Sequence, residues 1–349
     1  MTEGMDRAPH RSLFKALGLT DEDLSKPLIA IVNSWNEVVP GHIHLDKIAE
    51  AVKKGIRTAG GTPFEFNTIA ICDGIAMGHE GMRTPLPSRE IIAASIELMI
   101  QAHMFDAMVL IASCDKIIPG MLMAACRLDI PSIMITGGCM LPGVYKGKEI
   151  ALSQVFEAVA KVKSGEMSEE ELKLLEESAC PGPGSCAGMY TANTMACLVE
   201  ALGMSLPRCG ACPAVYAEKL RIAEESGKQI IKLLEKEITP SKIITEKSIE
   251  NAIRVDMALG GSTNTILHLI AVAHELEINL TLEKFDELGR STPHICNMNP
   301  AGPHYLKDLY LAGGVPAVMK ELKPLLNLDV LTVTGKTLKE NLRNVVVLN

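Results

Sequence analysis

The sequence predicts an α/β fold: a doubly wound, mainly parallel sheet flanked by helices in three α/β/α layers. Two patterns predict it. Four short apolar runs of strand length alternate with helically spaced segments before residue 140, and such alternation builds parallel sheets with right-handed crossovers. Each run also ends in a loop rich in glycine and polar side chains, the place where open α/β sheets bind ligands. Beyond residue 150 the pattern turns almost wholly helical, so the second half is helix-rich.

The first strand is Pro27 to Val32, running into the polar loop Asn33–His42. Leu45, Ile48, Val52 and Ile56 then recur at helical spacing, and Gly60-Gly61 closes that helix. Phe64 to Ile71 reads as the second strand, followed by a loop from Cys72 to Arg83 with glycines at 74, 78 and 81. Their spacing is not the dinucleotide fingerprint, and no helix opens directly from the loop. Ser88 is placed to cap an apolar helix through Met99, with Glu90 in its first turn.

Asp106 to Ser113 is the third strand, and its loop Ser113-Cys114-Asp115-Lys116 precedes a short helix to Arg127. Pro131 to Thr136 is the fourth, ending in Gly137-Gly138-Cys139. Residues 151–163 and 168–178 form an amphipathic pair rich in Glu and Lys, an exposed excursion. After the Pro/Gly loop 180–186, helices are expected over 187–202, 213–237, 245–258, 262–276 and 303–325, interrupted by Gly260–Thr265.

Hydrophobic residues make up 47% and charged residues 22% of the 349, ordinary for a globular protein with a large core. A formal net charge of −8 argues against nucleic acid or an anionic membrane surface as partner. Met1 to Lys15 has no apolar core, and no run approaches the ~20 apolar residues of a membrane span. The expected location is the cytoplasm. There disulfides are rare, so the ten cysteines are core residues or ligands. Cys126 and Cys197 lie in apolar helical runs and read as core.

Cys114 and Cys186 both stand in turns ahead of helices, where backbone N–H groups favour a thiolate or an anionic cluster. Spacing alone leaves two unrelated buried thiols equally open, and Cys209-Gly210-Ala211-Cys212 is the sole Cys-x-x-Cys pair. Asp73 and Asp115 each follow a cysteine at a strand end. Converging carboxylates suit Mg²⁺, whereas simple turn capping, with Lys116 as an ion-pair partner, is the plainer reading. His42 and His79 read as hydrogen-bonding loop residues.

Five blocks in this order resemble the dihydroxy-acid dehydratase family and its sugar-acid relatives. They are Asn33-Ser34-Trp35 with Pro40-Gly41-His42, Asp73 to His79, Cys114-Asp115-Lys116, Gly184 to Met189 running through Thr191-Ala192-Asn193, and Gly260 to Thr265. The resemblance implies a hydro-lyase that converts a small 2,3-dihydroxy acid to a 2-oxo acid in valine and isoleucine biosynthesis. It implies an iron–sulfur cluster on Cys114 and Cys186, and Mg²⁺ on Asp73, Asp115 and a carbamylated Lys116. A homodimer is expected.

Two departures from the family pattern stand out. Members with a three-cysteine [2Fe–2S] cluster carry a cysteine where this chain has Gly41. Cys72 is then the leading third ligand and Cys180 the second, on a [2Fe–2S] or [4Fe–4S] cluster. Family members also continue into a β-rich domain that supplies a further Mg²⁺ carboxylate and the serine base. Residues 1–340 are therefore expected to be the cluster- and Mg²⁺-binding domain and 341–349 the start of a linker, the chain being an inactive fragment by itself. A sugar-acid or phosphogluconate dehydratase, and a non-catalytic cluster-binding or dimerisation module, remain as alternatives.

Overall fold

The structure is a computed structural model that describes residues 2–348. Its centre is a four-stranded parallel sheet: β1 Leu28–Asn33, β2 Thr62–Asn67, β3 Ala107–Ala112 and β4 Ser132–Thr136, in the order β2-β1-β3-β4. Leu28 pairs with Thr62, Ile29 with Ala107 and Met108 with Ser132, which sets the register across the sheet. Every residue of β1, β3 and β4 is buried, as the uninterrupted apolar runs require of strands covered on both faces. Edge strand β2 is half-exposed and tolerates Pro63, whose missing N–H harms no interior ladder.

The helices of eight residues or more are α1 Ala8–Ala16, α2 Leu45–Thr58, α3 Pro85–His103, α4 Ile117–Leu128, α5 Leu152–Lys163, α6 Glu169–Ala179, α7 Thr191–Ala201, α8 Ala217–Glu235, α9 Glu246–Leu259, α10 Asn264–Glu275, α11 Leu282–Arg290 and α12 Gly314–Glu321. From β1 the chain steps outward through α2 to β2, then crosses back through α3 to β3 and on through α4 to β4. Right-handed crossovers put α2 on one face and α3 and α4 on the other. The reversal lies between β1 and β3, so the crevice beyond their carboxyl ends is the topological switch point. Helix α8 packs on α2 and completes the first layer. Helix α7 is buried along its whole length and joins α9, α10 and α12 in the helical half.

The expected α/β/α architecture holds, with local corrections. The α3 helix starts at Pro85, after Thr84, and Ser88 is not its cap: buried within the first turns, its hydroxyl donates to the Pro85 carbonyl at 2.5 Å. Pro85 and Pro87 suit a first turn, where N–H groups lack intrahelical partners. Strand β2 begins and ends earlier than its apolar run, because the Thr68 N–H makes the last bond to the end of β1, at Asn33. The loop after it holds one helical turn, Asp73–Ala76, and a 3₁₀ turn, Glu80–Arg83. A hairpin, β5 Gly143–Tyr145 with β6 Lys148–Ile150, was not anticipated.

Residues 187–190 precede α7 without helix, α11 is an addition, and the expected helix 303–325 breaks at Gly313 and Gly314, whose φ values are 120° and 73°. The α5–α6 pair keeps a small cluster of its own around Ile150, Ala158, Leu175 and Ala179. Residues 345–348 form no strand; the Leu348 N–H bonds back to Ala312. Among the described residues no helix is long and apolar enough to cross a membrane.

Candidate metal centre

Between β3 and α4 the chain must turn sharply, and it does so at Cys114, whose φ of 62° is left-handed. A non-glycine residue there costs on the order of 1–3 kcal/mol, strain that clusters at functional sites. The turn sends Asp115 and Lys116 into the switch-point crevice. Lys116, 6% exposed, places Nζ 2.9 Å from Asp73 Oδ2 and 2.8 Å from Asp115 Oδ1. Asp73 arrives from the helical turn after β2, so two strand-end loops converge on one amine.

Asp115 Oδ1 also receives His268 Nε2–H at 3.2 Å, while Oδ2 has only Asn264 Nδ2 at 3.5 Å. Burial pushes the Asp115 carboxyl up, but the His268 and Lys116 hydrogen bonds outweigh it and hold its pKa below the ordinary value. Asp73 goes the other way: burial, with Asp115 adding repulsion, outweighs the Lys116 bond and raises it. Asp73 Oδ1 is buried with no hydrogen-bond partner. Such an orphaned oxygen carries a desolvation penalty that a cation would relieve.

Three thiols gather beside this carboxylate pair. Burial lifts the Cys114 pKa well above normal, and Cys186 and then Cys72 reinforce it electrostatically. Cys186 is pushed up to about 11 by burial, then by Cys72 and Cys180. Cys114, Cys186 and Cys72 thus form one neighbourhood, with exposed Cys180 at its margin beside Cys186. Gly41 closes the site from the first loop: a Cβ there would lie 2.8 Å from Cys114 Sγ and 3.5 Å from the Ser185 nitrogen.

The loop carrying Cys186 is anchored from both sides. Gly184 N–H donates to the Pro40 carbonyl at 3.1 Å, and Ser185 N–H to Gly138 at 3.0 Å. Only glycine fits at 184, where φ is 129° and a Cβ would meet the Met140 nitrogen at 2.3 Å. Asn193, on α7, donates to the carbonyls of Cys186 and Gly188 and accepts from the Ser185 hydroxyl at 2.6 Å. The Gly260–Thr265 block hangs on the same helix: Thr191 Oγ1 meets Ser262 Oγ at 2.8 Å and accepts from Asn264 Nδ2 at 3.1 Å. Beneath it the buried Asp256 carboxylate accepts the Thr265 hydroxyl.

All six residues singled out as ligands therefore fall in one crevice. Among the described residues no three His, Cys, Asp or Glu side chains close on a single point tightly enough for one ion; a cluster spreads its thiolates over more than one iron and needs no such point. The orphaned Asp73 oxygen, the grouped thiols and the glycine gap fit a cluster beside a divalent cation. In this arrangement the Lys116 ammonium itself stands between the carboxylates as a cation would. His42 and His79 keep their expected roles. His42 Nδ1 donates to the Ser34 carbonyl at 2.8 Å, and burial drops its pKa to about 4. His79 accepts from Gly81 N–H and donates to the Ile75 carbonyl, pinning its own turn. Cys209 and Cys212 are buried, and fully buried Lys219 donates to the Cys209 carbonyl at 2.7 Å. Sequence reasoning missed His268, whose one signal is its position one turn after Asn264.

The family described as dihydroxy-acid/6-phosphogluconate dehydratase N-terminal matches residues 26–341. Proteins named dihydroxy-acid dehydratase from Pyrococcus abyssi, Methanosarcina barkeri and Caldanaerobacter subterraneus are 62%, 60% and 58% identical, each over 99% of this chain. The chain spans 63% of the length of each of these relatives.

Proposed function

The chain belongs to the dihydroxy-acid/6-phosphogluconate dehydratase family, and from that premise we propose that it carries the metal-binding half of a hydro-lyase. The reaction is removal of water from a 2,3-dihydroxy acid, 2,3-dihydroxyisovalerate or 2,3-dihydroxy-3-methylvalerate, to give the 2-oxo acid of valine or isoleucine biosynthesis. The observation that supports it best is the meeting of three thiols with the Asp73–Lys116–Asp115 group at the switch point. Cys114, Cys186 and Cys72 hold an iron–sulfur cluster, and Asp73, Asp115 and a carbamylated Lys116 hold Mg²⁺. Hydroxide leaves poorly and the C2 proton is weakly acidic, so the two metals supply Lewis acidity to the departing oxygen and to the enolate-like charge.

The chain's own residues prepare that chemistry. Carbamylation turns Lys116 from the amine that neutralises Asp73 and Asp115 into a third anionic oxygen donor, matching the hard-ligand preference of Mg²⁺. His268 and Asn264 orient Asp115, and Asn193 orients the Cys186 loop. Ten free cysteines suit a reducing cytoplasm, and two copies pair as a homodimer.

Anaerobic reconstitution with iron and sulfide tests the proposal. The expected outcome is visible absorption with stoichiometric iron and sulfide, and a spectrum perturbed by 2,3-dihydroxyisovalerate with Mg²⁺ and not by 6-phosphogluconate. A colourless chain refutes the cluster assignment; the reverse substrate preference refutes the dihydroxy-acid reading.

A further inference from the structure

Arg89, near the start of α3, ends on an imidazole although carboxylates are close by. Its Nη1 lies 3.2 Å from His268 Nδ1, while Glu90 and Glu275 act on it only at a distance. Arg127 takes both of those acids, Glu90 at 2.6 Å and Glu275 through two nitrogens at 2.8 and 2.7 Å. A guanidinium only donates, so His268 Nδ1 must present its lone pair. The other ring nitrogen faces Asp115 Oδ1 at 3.2 Å, and a carboxylate only accepts. Both neighbours therefore demand one tautomer: neutral, with the proton on Nε2.

The geometry points to His268, held by Arg89, as the positioning residue that fixes Asp115 for a divalent cation. This rests on the reading of Asp115 as a cation ligand. His268 and Lys116 both engage Oδ1, which leaves Oδ2 turned to the crevice with only the long Asn264 contact. A neutral imidazole supplies the orienting hydrogen bond without setting a full positive charge against the cation. Its seat on α10, wholly buried, lets the side chain act as a fixed strut. The relay thus ties α3 and α10 to the strand-end loop that carries the ligand.

Two measurements test this, each with its own readout. In ¹⁵N NMR of the metal-free chain, the signals lost in His268→Leu identify the His268 ring, and they should show the Nε2–H tautomer. Arg89→Met should shift the Nδ1 resonance, whose lone pair loses its guanidinium donor, while Asp115 keeps the proton on Nε2; an unchanged Nδ1 signal in that variant overturns the relay. Mn²⁺ binding, followed by electron paramagnetic resonance in bicarbonate and competed with Mg²⁺, reads the positioning role. His268→Leu should weaken binding roughly 10–100-fold, the range for outer-shell changes, and His268→Gln, which keeps an N–H donor, should restore most of it. Full affinity in His268→Leu, or equal loss in both variants, overturns the assignment while leaving Asp115 a ligand. Failure of the unmodified chain to bind Mn²⁺ overturns the reading of Asp115 and the assignment together.

Discussion

At the scale of single residues the open position is 41. A side chain there would press on Cys114 Sγ, so the third ligand of the proposed cluster would come from elsewhere. Cys72 adjoins Asp73 and couples electrostatically to both Cys114 and Cys186, whereas Cys180 couples only to Cys186 and is exposed. Cys72→Ser should therefore abolish visible cluster absorption after reconstitution, and Cys180→Ser should keep it; the opposite pair of spectra would reassign the ligand. Asp256 gives a second prediction. Burial, resisted by the Thr265 hydroxyl, lifts its carboxyl from 3.8 to about 7. Between those values the folded chain keeps a proton that the unfolded chain has released, so this group's stabilisation is complete below about pH 4 and lost as pH climbs to about 7. Asp256→Asn has no such loss. Relative to the parent, its unfolding free energy should gain about 3 kcal/mol between about pH 5 and pH 8, and a pH-independent difference would disprove the shift. The order of Cys72 before Cys180 is already the sequence's expectation, since Cys72 adjoins Asp73; burial of Asp256 is not legible there, because it depends on helices brought together from distant segments.

At the scale of elements the telling contact is between α2 and α8. Gly55 and Gly227 face each other so closely that a Cβ on Gly55 would lie 2.0 Å from the Glu224 carbonyl oxygen, and one on Gly227 2.3 Å from that of Val52. Neither backbone can yield without parting the helices that cover one face of the sheet. Gly55→Ala should cost about 3 kcal/mol, the upper range for overpacking, despite the better helix propensity of alanine; denaturant unfolding would measure it, and a neutral or stabilising result would show that the helices can separate freely. Gly60, with φ of 88°, ends α2 where the Gly60-Gly61 pair predicted. The strands were readable because burial on both faces leaves continuous apolar runs. Helix starts were less so: Ser88 looks like a cap by residue type, yet the prolines at 85 and 87 begin the helix one turn earlier. The α11 helix escaped notice because only Phe285 and Leu288 anchor it, too few points to reveal a period.

At the scale of the whole molecule, the matching blocks span residues 33 to 265, and those of the first three strand-end loops meet where the strand order reverses between β1 and β3 in an all-parallel sheet. That reversal was inferable from four alternating units. The approach of α10 from the far end of the chain, with His268, was not, since helical spacing says nothing about which helices meet. The three thiols sit on separate loops, after β2, after β3 and before α7, so a cluster shared among them ties together segments more than a hundred residues apart in the chain. Without it, those loops are held by hydrogen bonds such as Gly184 to Pro40 and Ser185 to Gly138, and by an unrelieved buried oxygen on Asp73. A group that binds only the folded arrangement stabilises it by mass action, about 2.7 kcal/mol at a hundredfold excess over Kd. Anaerobic reconstitution should therefore raise the Tm of the entire chain, by roughly 5 °C, and Cys114→Ser should remove the rise. Identical melting of the apo and reconstituted chains would mean that the cluster does not bridge the three loops, however strongly it colours the protein. Held by three thiols on three loops, such a cluster would bring its binding energy to bear on the fold as a unit, because it could not be held until β2, β3 and α7 are all in place.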